Sequence, residues 1–183
     1  TKKVVIIGHE AELVREMVGD QAQVVLQAQQ LGTGHAVLQA APVLQGVTGT
    51  ALILCGDTPL LEAGELAKFA EAHAKSGAAA TVMTAIMADP FGYGRILRDK
   101  KGNVSGIVEQ KDATEEQQKI QEINTGIYCV AMPLLFEILK TLTNDNAQGE
   151  YYLTDLLSKL NAQGKKVAGY VTADSDMVMG INS

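Results

Sequence analysis

Short apolar runs alternate with stretches of helical periodicity through the first half of the chain, with glycine at most of the junctions. Residues 3–7 (KVVII) predict a short buried strand, Gly8 breaks it, and residues 10–18 read as a helix. Residues 23–27 predict a second strand. The turn Leu31-Gly32-Thr33-Gly34 then opens a helix from His35 to about Leu44. Residues 50–55 (TALILC) show no polar alternation, which predicts a strand covered on both faces. It ends at Gly56-Asp57-Thr58-Pro59, residues 61–75 read as a helix, and residues 79–87 predict a fourth strand.

Strands alternating with helices imply an α/β protein with a parallel, doubly wound sheet of the Rossmann type. The texture then changes. Residues 93–98 and 104–110 predict a hairpin across the turn at 99–103, followed by a charged segment at 111–122. A strand is predicted at 125–132, helices at 134–142 and 153–160, and a late strand at 166–172. The second half thus carries an inserted antiparallel piece able to form the other wall of a cleft.

The chain has 183 residues, 46% of them hydrophobic and 20% charged, which suits one globular domain with a sizeable core. No apolar run is long enough to span a bilayer. Net charge is −6, which argues against a general nucleic-acid face while leaving room for a nucleotide held by local cations or a metal. Cys55 and Cys129 both sit in apolar runs without metal-ligand spacing, so reduced thiols in a cytoplasmic protein are expected. The chain starts at Thr1 without a signal-peptide pattern, so the expectation is a start partway into a longer product.

Ligands of open α/β sheets lie beyond the carboxyl ends of the strands, where Asp57 stands. A carboxylate there suits a divalent cation, or it caps the next helix as an ordinary turn residue. Gly32-Thr33-Gly34 places amides at a helix start, able to receive an anion or a base edge, or it is only a turn. Gly92-Tyr93-Gly94-Arg95 permits close approach of a ligand or marks a bend. Glu109 lies in a charged rim, and Asn124 and Asn182 suit sugar groups or a metal as well as turns. His35, beside the glycine turn, is the one histidine in a suggestive place. The chain contains neither G-x-G-x-x-G nor a P-loop, and no nucleophile–base arrangement stands out.

Five blocks together carry a resemblance: LQAQQLGTGHAVLQAAP, LILCGDTPLL, DPFGYGRILR, GIVEQKDATEEQQKIQEINTGIY and NAQGEYYLTDLL. They resemble the uridylyltransferase domain of the bifunctional N-acetylglucosamine-1-phosphate uridylyltransferase / glucosamine-1-phosphate acetyltransferase family, from about Val4 to Asn182. The resemblance implies a Rossmann-like nucleotide-diphospho-sugar transferase fold, with a mostly parallel mixed sheet and an inserted antiparallel hairpin. It implies conversion of UTP and N-acetylglucosamine 1-phosphate into UDP-N-acetylglucosamine and pyrophosphate, for cell-envelope precursor synthesis. Gln27, Gly32 and Thr33 match positions that read uracil. Cys55, Gly56 and Asp57 match the segment against the nucleoside and metal, although the family often has Tyr where Cys55 stands. Gly94, Glu109 and Asn124 match the positions that hold N-acetylglucosamine, with Thr154 near the sugar. Asp57 and Asn182 match the protein ligands of a magnesium ion.

Two features of the family lack a counterpart in this chain. One is the opening strand with its glycine-rich LAAGxGTRM loop and following lysine; nothing before Val4 matches it, and apolar sheet edges are expected to be exposed in consequence. The other is the β-helix acetyltransferase domain, through which the family forms trimers. Another sugar-1-phosphate nucleotidyltransferase, or a UDP-sugar-binding fragment without catalysis, stays open on the sequence alone.

Overall fold

The computed structural model describes residues 1–178. Two short strands, β1 (Val4–Ile7) and β2 (Gln23–Leu26), pair in parallel around helix α1 (Ala11–Val18) and form a sheet of their own. Helix α2 (Thr33–Leu38) follows, shorter than its periodicity predicts; residues 39–46 continue it only as turns.

The main sheet is built around one long strand. It contains β3 (Gly49–Ile53), β4 (Ala80–Ile86), β5 (Arg95–Arg98), β6 (Val104–Val108), β7 (Glu122–Met132) and β8 (Val167–Val171). The order runs β6-β5-β7-β4-β8, with β3 also paired to β7. The mixed α/β architecture and the antiparallel β5–β6 hairpin are as expected. The balance of pairings differs: among the described residues only the strand pairs β1–β2 and β4–β8 are parallel. The reason is β7, which runs antiparallel to β3, β4 and β5 alike. Its first residue, Glu122, is the last of the segment read as charged, and it starts three residues before the strand expected at 125–132.

Double coverage belongs to β4 and β7 rather than to β3. Helices α5 (Leu134–Leu139) and α6 (Asp155–Ala162) share one core with Ala80, Val82, Tyr128 and Val130. Phe69, from α3 (Ala63–Ser76), shares a second core with Met83, Ala85, Ile127 and Cys129. Successive residues of β4 therefore point into opposite cores, which removes the polar alternation. In β3, by contrast, Leu52 is 42% exposed, and among the described residues the strand pairs only with β7. Leu54 and Leu60, in the segment after β3, are exposed as well.

The segment read as charged surface also holds a one-turn helix, α4 (Glu115–Gln118). Thr114 caps it reciprocally with Gln117, a capping box of the form T-x-x-Q. The Arg95 side chain, 2% exposed, ties the hairpin down through Gln110 Oε1 (2.8 Å) and the carbonyl oxygens of Tyr93 and Gln118. A buried cation answered by three oxygens holds its loop more firmly than a surface contact would.

Between Val82 and Thr84, two steps along β4 are matched by four along β7, from Tyr128 to Asn124. The excess forms a bulge centred on Gly126, whose φ is +78°. Thr125 Oγ1 donates to the Met83 carbonyl oxygen (2.8 Å) and fills the irregularity. A Cβ at Gly126 would stand 2.7 Å from Cys55 Sγ. The Gly126→Ala variant is expected to lose about 2 kcal/mol of stability from left-handed strain and crowding together. A lower urea midpoint measures it, and Cys55→Ala in the same chain should recover the crowding share only.

Candidate functional site

Along one edge of β7 the strands β3 and β5 lie end to end: β3 pairs with residues 128–132 and β5 with Ile123. The bulge lies in the gap between them. Asn124 is thus a strand residue at a fork, not a turn residue, and Thr125 and Gly126 lie in the strand as expected. The Asn124 backbone N–H donates to the Gly94 carbonyl oxygen (2.8 Å), and Cys55 Sγ donates to the Gly126 carbonyl oxygen (3.5 Å). The fork thereby joins the start of the hairpin to the segment after β3.

Two open cavities hold five of the predicted residues in their walls. The first, about 380 Å³, includes Gln27, Gly32, Thr33 and Glu150 in its wall. Gln27 is 9% exposed, and its Nε2 donates to the Gly32 carbonyl oxygen (3.1 Å) and lies 3.0 Å from His35 Nδ1. The Gly32 oxygen only accepts, so it fixes the amide with Oε1 as the free end.

The glycine turn has a packing reason as well. Gly32 has φ +103°, and a Cβ there would come 2.8 Å from the Tyr151 carbonyl oxygen. The Gly34 N–H donates to that oxygen (2.8 Å), the Tyr151 N–H to the Leu31 carbonyl oxygen (2.8 Å), and the Leu153 N–H to Thr33 Oγ1 (3.1 Å). The Gly34 amide is therefore engaged within the chain rather than left for an anion, and α2, at six residues, is too short to form a dipole site.

The second cavity, about 200 Å³, includes Glu109, Asp112, Tyr152, Thr154 and Asp155 in its wall. Thr154 Oγ1 donates to Glu109 Oε1 (2.9 Å), and Tyr152 Oη donates to Asp112 Oδ2 (3.2 Å). Burial, with help from Asp112 and Asp155, raises the Glu109 carboxyl above its ordinary value against the opposing bond from Thr154. Asp155 is raised as well, chiefly by burial.

The predicted residues other than Asn182 are linked through a run of contacts. Gln27 bonds Gly32; Thr33 bonds Leu153, next to Thr154; and Thr154 bonds Glu109. A Cβ on Gly94 would sit 3.2 Å from Glu109 Oε2, Gly94 bonds Asn124, Asn124 bonds Gly126, and Gly126 bonds Cys55, which leads into Gly56 and Asp57. Asn182 lies outside the described residues.

Asp57 is exposed and its carboxylate accepts no hydrogen bond from a described residue. It does not cap α3, which begins at Ala63 behind Glu62; the turn is closed by Thr58 Oγ1 donating to the Cys55 carbonyl oxygen (3.1 Å). Burial and the nearby Asp57 charge push the Cys55 thiol up to about 11, and burial does the same to Cys129. Both therefore remain protonated thiols at neutral pH and poor nucleophiles. Both cysteines are free. Sequence reasoning did not single out Tyr152 or Tyr128, although both lie in quoted blocks, the first in YYLTD and the second at the end of INTGIY.

The model of the family described as Nucleotidyl transferase matches residues 2–177. The bifunctional protein GlmU of Enterococcus faecalis is 51% identical over 182 residues, covering 100% of this chain and 40% of its own length. Bifunctional protein GlmU of Geobacillus thermodenitrificans is 49% identical (99% of this chain, 39% of its own). That of Pelotomaculum thermopropionicum is 54% identical (99% and 40%). The chain thus spans about two fifths of the length of the curated relatives it matches. Among the described residues no helix is long and apolar enough to cross a membrane.

The raised Glu109 carboxyl has a signed consequence. Its charged form is disfavoured by the fold, so the cost to stability is full above the raised folded-state value. The cost fades as pH falls through that value towards the unfolded 4.5. Glu109→Gln, neutral throughout, is expected to raise the melting temperature at pH 7–8 by about 2 °C. Melting curves across pH should show the gain vanish near pH 4.

Proposed function

Since the chain belongs to the nucleotidyl transferase family, we propose that it is a uridylyltransferase domain that transfers UMP from UTP to N-acetylglucosamine 1-phosphate and releases pyrophosphate. The observation that carries this reading is the run of contacts from Gln27 to Asp57, which joins a base-sized cavity to a second, acidic one. On the first side, the free Oε1 of Gln27 is an acceptor suited to the ring N–H of uracil. On the second, Glu109, Asp112 and Asp155 would repel a phosphate but accept hydroxyl or amide donors, so a neutral sugar fits there. The likeness to proteins called bifunctional protein GlmU supports the same pairing.

In the proposed reaction a sugar-phosphate oxygen attacks the α-phosphorus of UTP, a new P–O bond forms, and the bond to pyrophosphate breaks. No protein nucleophile is needed, which accords with two protonated thiols. Gln27, Gly32 and Thr33 orient the base. Glu109, Asn124, Gly94 and Thr154 orient the sugar, and a wrong sugar would leave those polar groups unsatisfied. Cys55 and Gly56 set the segment against the nucleoside.

A magnesium ion is part of the reading. The Asp57 carboxylate, free of intramolecular partners among the described residues, is an oxygen donor suited to such a hard cation, and the Asn182 amide, outside the described residues, would be the second by the resemblance. When bound, the ion neutralises charge on the phosphates. The wider reading is the nucleotidyltransferase part of a cytoplasmic enzyme of cell-envelope precursor synthesis, which becomes a homotrimer through a second domain.

Calorimetry with UDP-N-acetylglucosamine, UDP-glucose and the corresponding cytidine compounds tests the assignment. The chain is expected to bind the first most tightly; preference for glucose or for cytosine would reassign it to another nucleotidyltransferase. Asp57→Ala is expected to remove about tenfold or more of the magnesium-dependent gain in nucleotide affinity. An unchanged magnesium dependence would take Asp57 out of the metal site.

A further inference from the structure

The amide of Asn124 is held from below. Its Oδ1 accepts two hydrogen bonds, from the Gly126 backbone N–H (3.0 Å) and from the Tyr128 hydroxyl (2.9 Å). The first donor cannot be reversed, which settles the orientation of the amide. Both acceptor directions of the oxygen are then taken, and Nδ2 has no partner among the described residues. Tyr128 is 1% exposed, so its hydroxyl has no water to turn to and its bond to Asn124 is the alternative to an unsatisfied buried group. The bulge is what makes the pair possible: it puts the positive-φ Gly126 between two residues of the same strand.

We propose that Tyr128 is a positioning residue for sugar selection: its buried hydroxyl locks the Asn124 side chain so that only an N–H donor is offered at the fork between β3 and β5. The chemical class that answers this donor is a carbonyl oxygen, such as that of a 2-acetamido group. Beside it Glu109, whose Oε2 would lie 3.2 Å from a Gly94 Cβ, offers an acceptor. Donor and acceptor together match the C=O and N–H of a secondary amide, whereas a 2-hydroxyl presents one small group to both. Burial, with the neighbouring Glu109 charge, holds the Tyr128 phenol well above its usual value, so it remains an O–H donor throughout the working pH range. This inference rests on the sugar-side reading given above.

The test is discrimination, not affinity alone. Tyr128→Phe keeps the ring and the packing and removes one hydrogen bond. It is expected to lower the binding preference for UDP-N-acetylglucosamine over UDP-glucose about fivefold while UMP affinity stays at the wild-type value. Asn124→Asp keeps both acceptor bonds but has no N–H, and is expected to abolish the preference. A merely structural bond would weaken all three ligands together, and that outcome overturns the proposal. A wild-type preference that survives Tyr128→Phe overturns it as well. A wild-type chain with no preference between the two sugars fails the functional reading itself, and this inference with it.

Discussion

One strand with three antiparallel neighbours organises this protein. β7 gives β4 one edge along its length and divides the other between β3 and β5. A strand so placed cannot keep perfect register with all of them, and the two surplus residues around Gly126 absorb the mismatch. The fork opens where the register fails. The groups there are rigid because cores on both faces hold the strand: Ile127 and Cys129 on one side, Tyr128 and Val130 on the other. A polar site set on so well buried a strand begins with its geometry fixed, which reduces the ordering cost of binding.

The two cavities differ in how they are built. The first depends on a glycine turn fastened by backbone hydrogen bonds to residues 151–153, and its glycines are required by close packing. The second depends on carboxylates that the fold holds close together and partly dry, with Thr154 and Tyr152 each donating to one of them. A negative pocket of this kind favours neutral, hydrogen-bonding ligands over anions.

Alternation of apolar runs with helical periodicity made the α/β class legible, together with the positions of most strands and the hairpin. Pairing was another matter. A run such as TALILC looks the same whether it lies at the centre of a sheet or on an open edge, because periodicity records side-chain faces and says nothing of neighbours. The antiparallel role of β7 was hidden for the same reason, and its first residues were hidden by a charged approach. The site residues became legible only when whole blocks were compared; single motifs such as Gly-x-Gly and a lone Asp left turn and ligand equally open. Asp57 is decided against the capping alternative because α3 begins six residues later. Tyr128 could not have been found from sequence, since an apolar strand gives no hint of where a phenol's hydroxyl ends.

Residues 150–155 belong to both cavities: Glu150 borders the first, Tyr152, Thr154 and Asp155 border the second, and the bonds from Tyr151 and Leu153 carry the glycine turn. The segment is thus a common wall whose motion is shared. Any displacement of it would reshape both cavities at once, so neither pocket can be altered through this wall independently of the other.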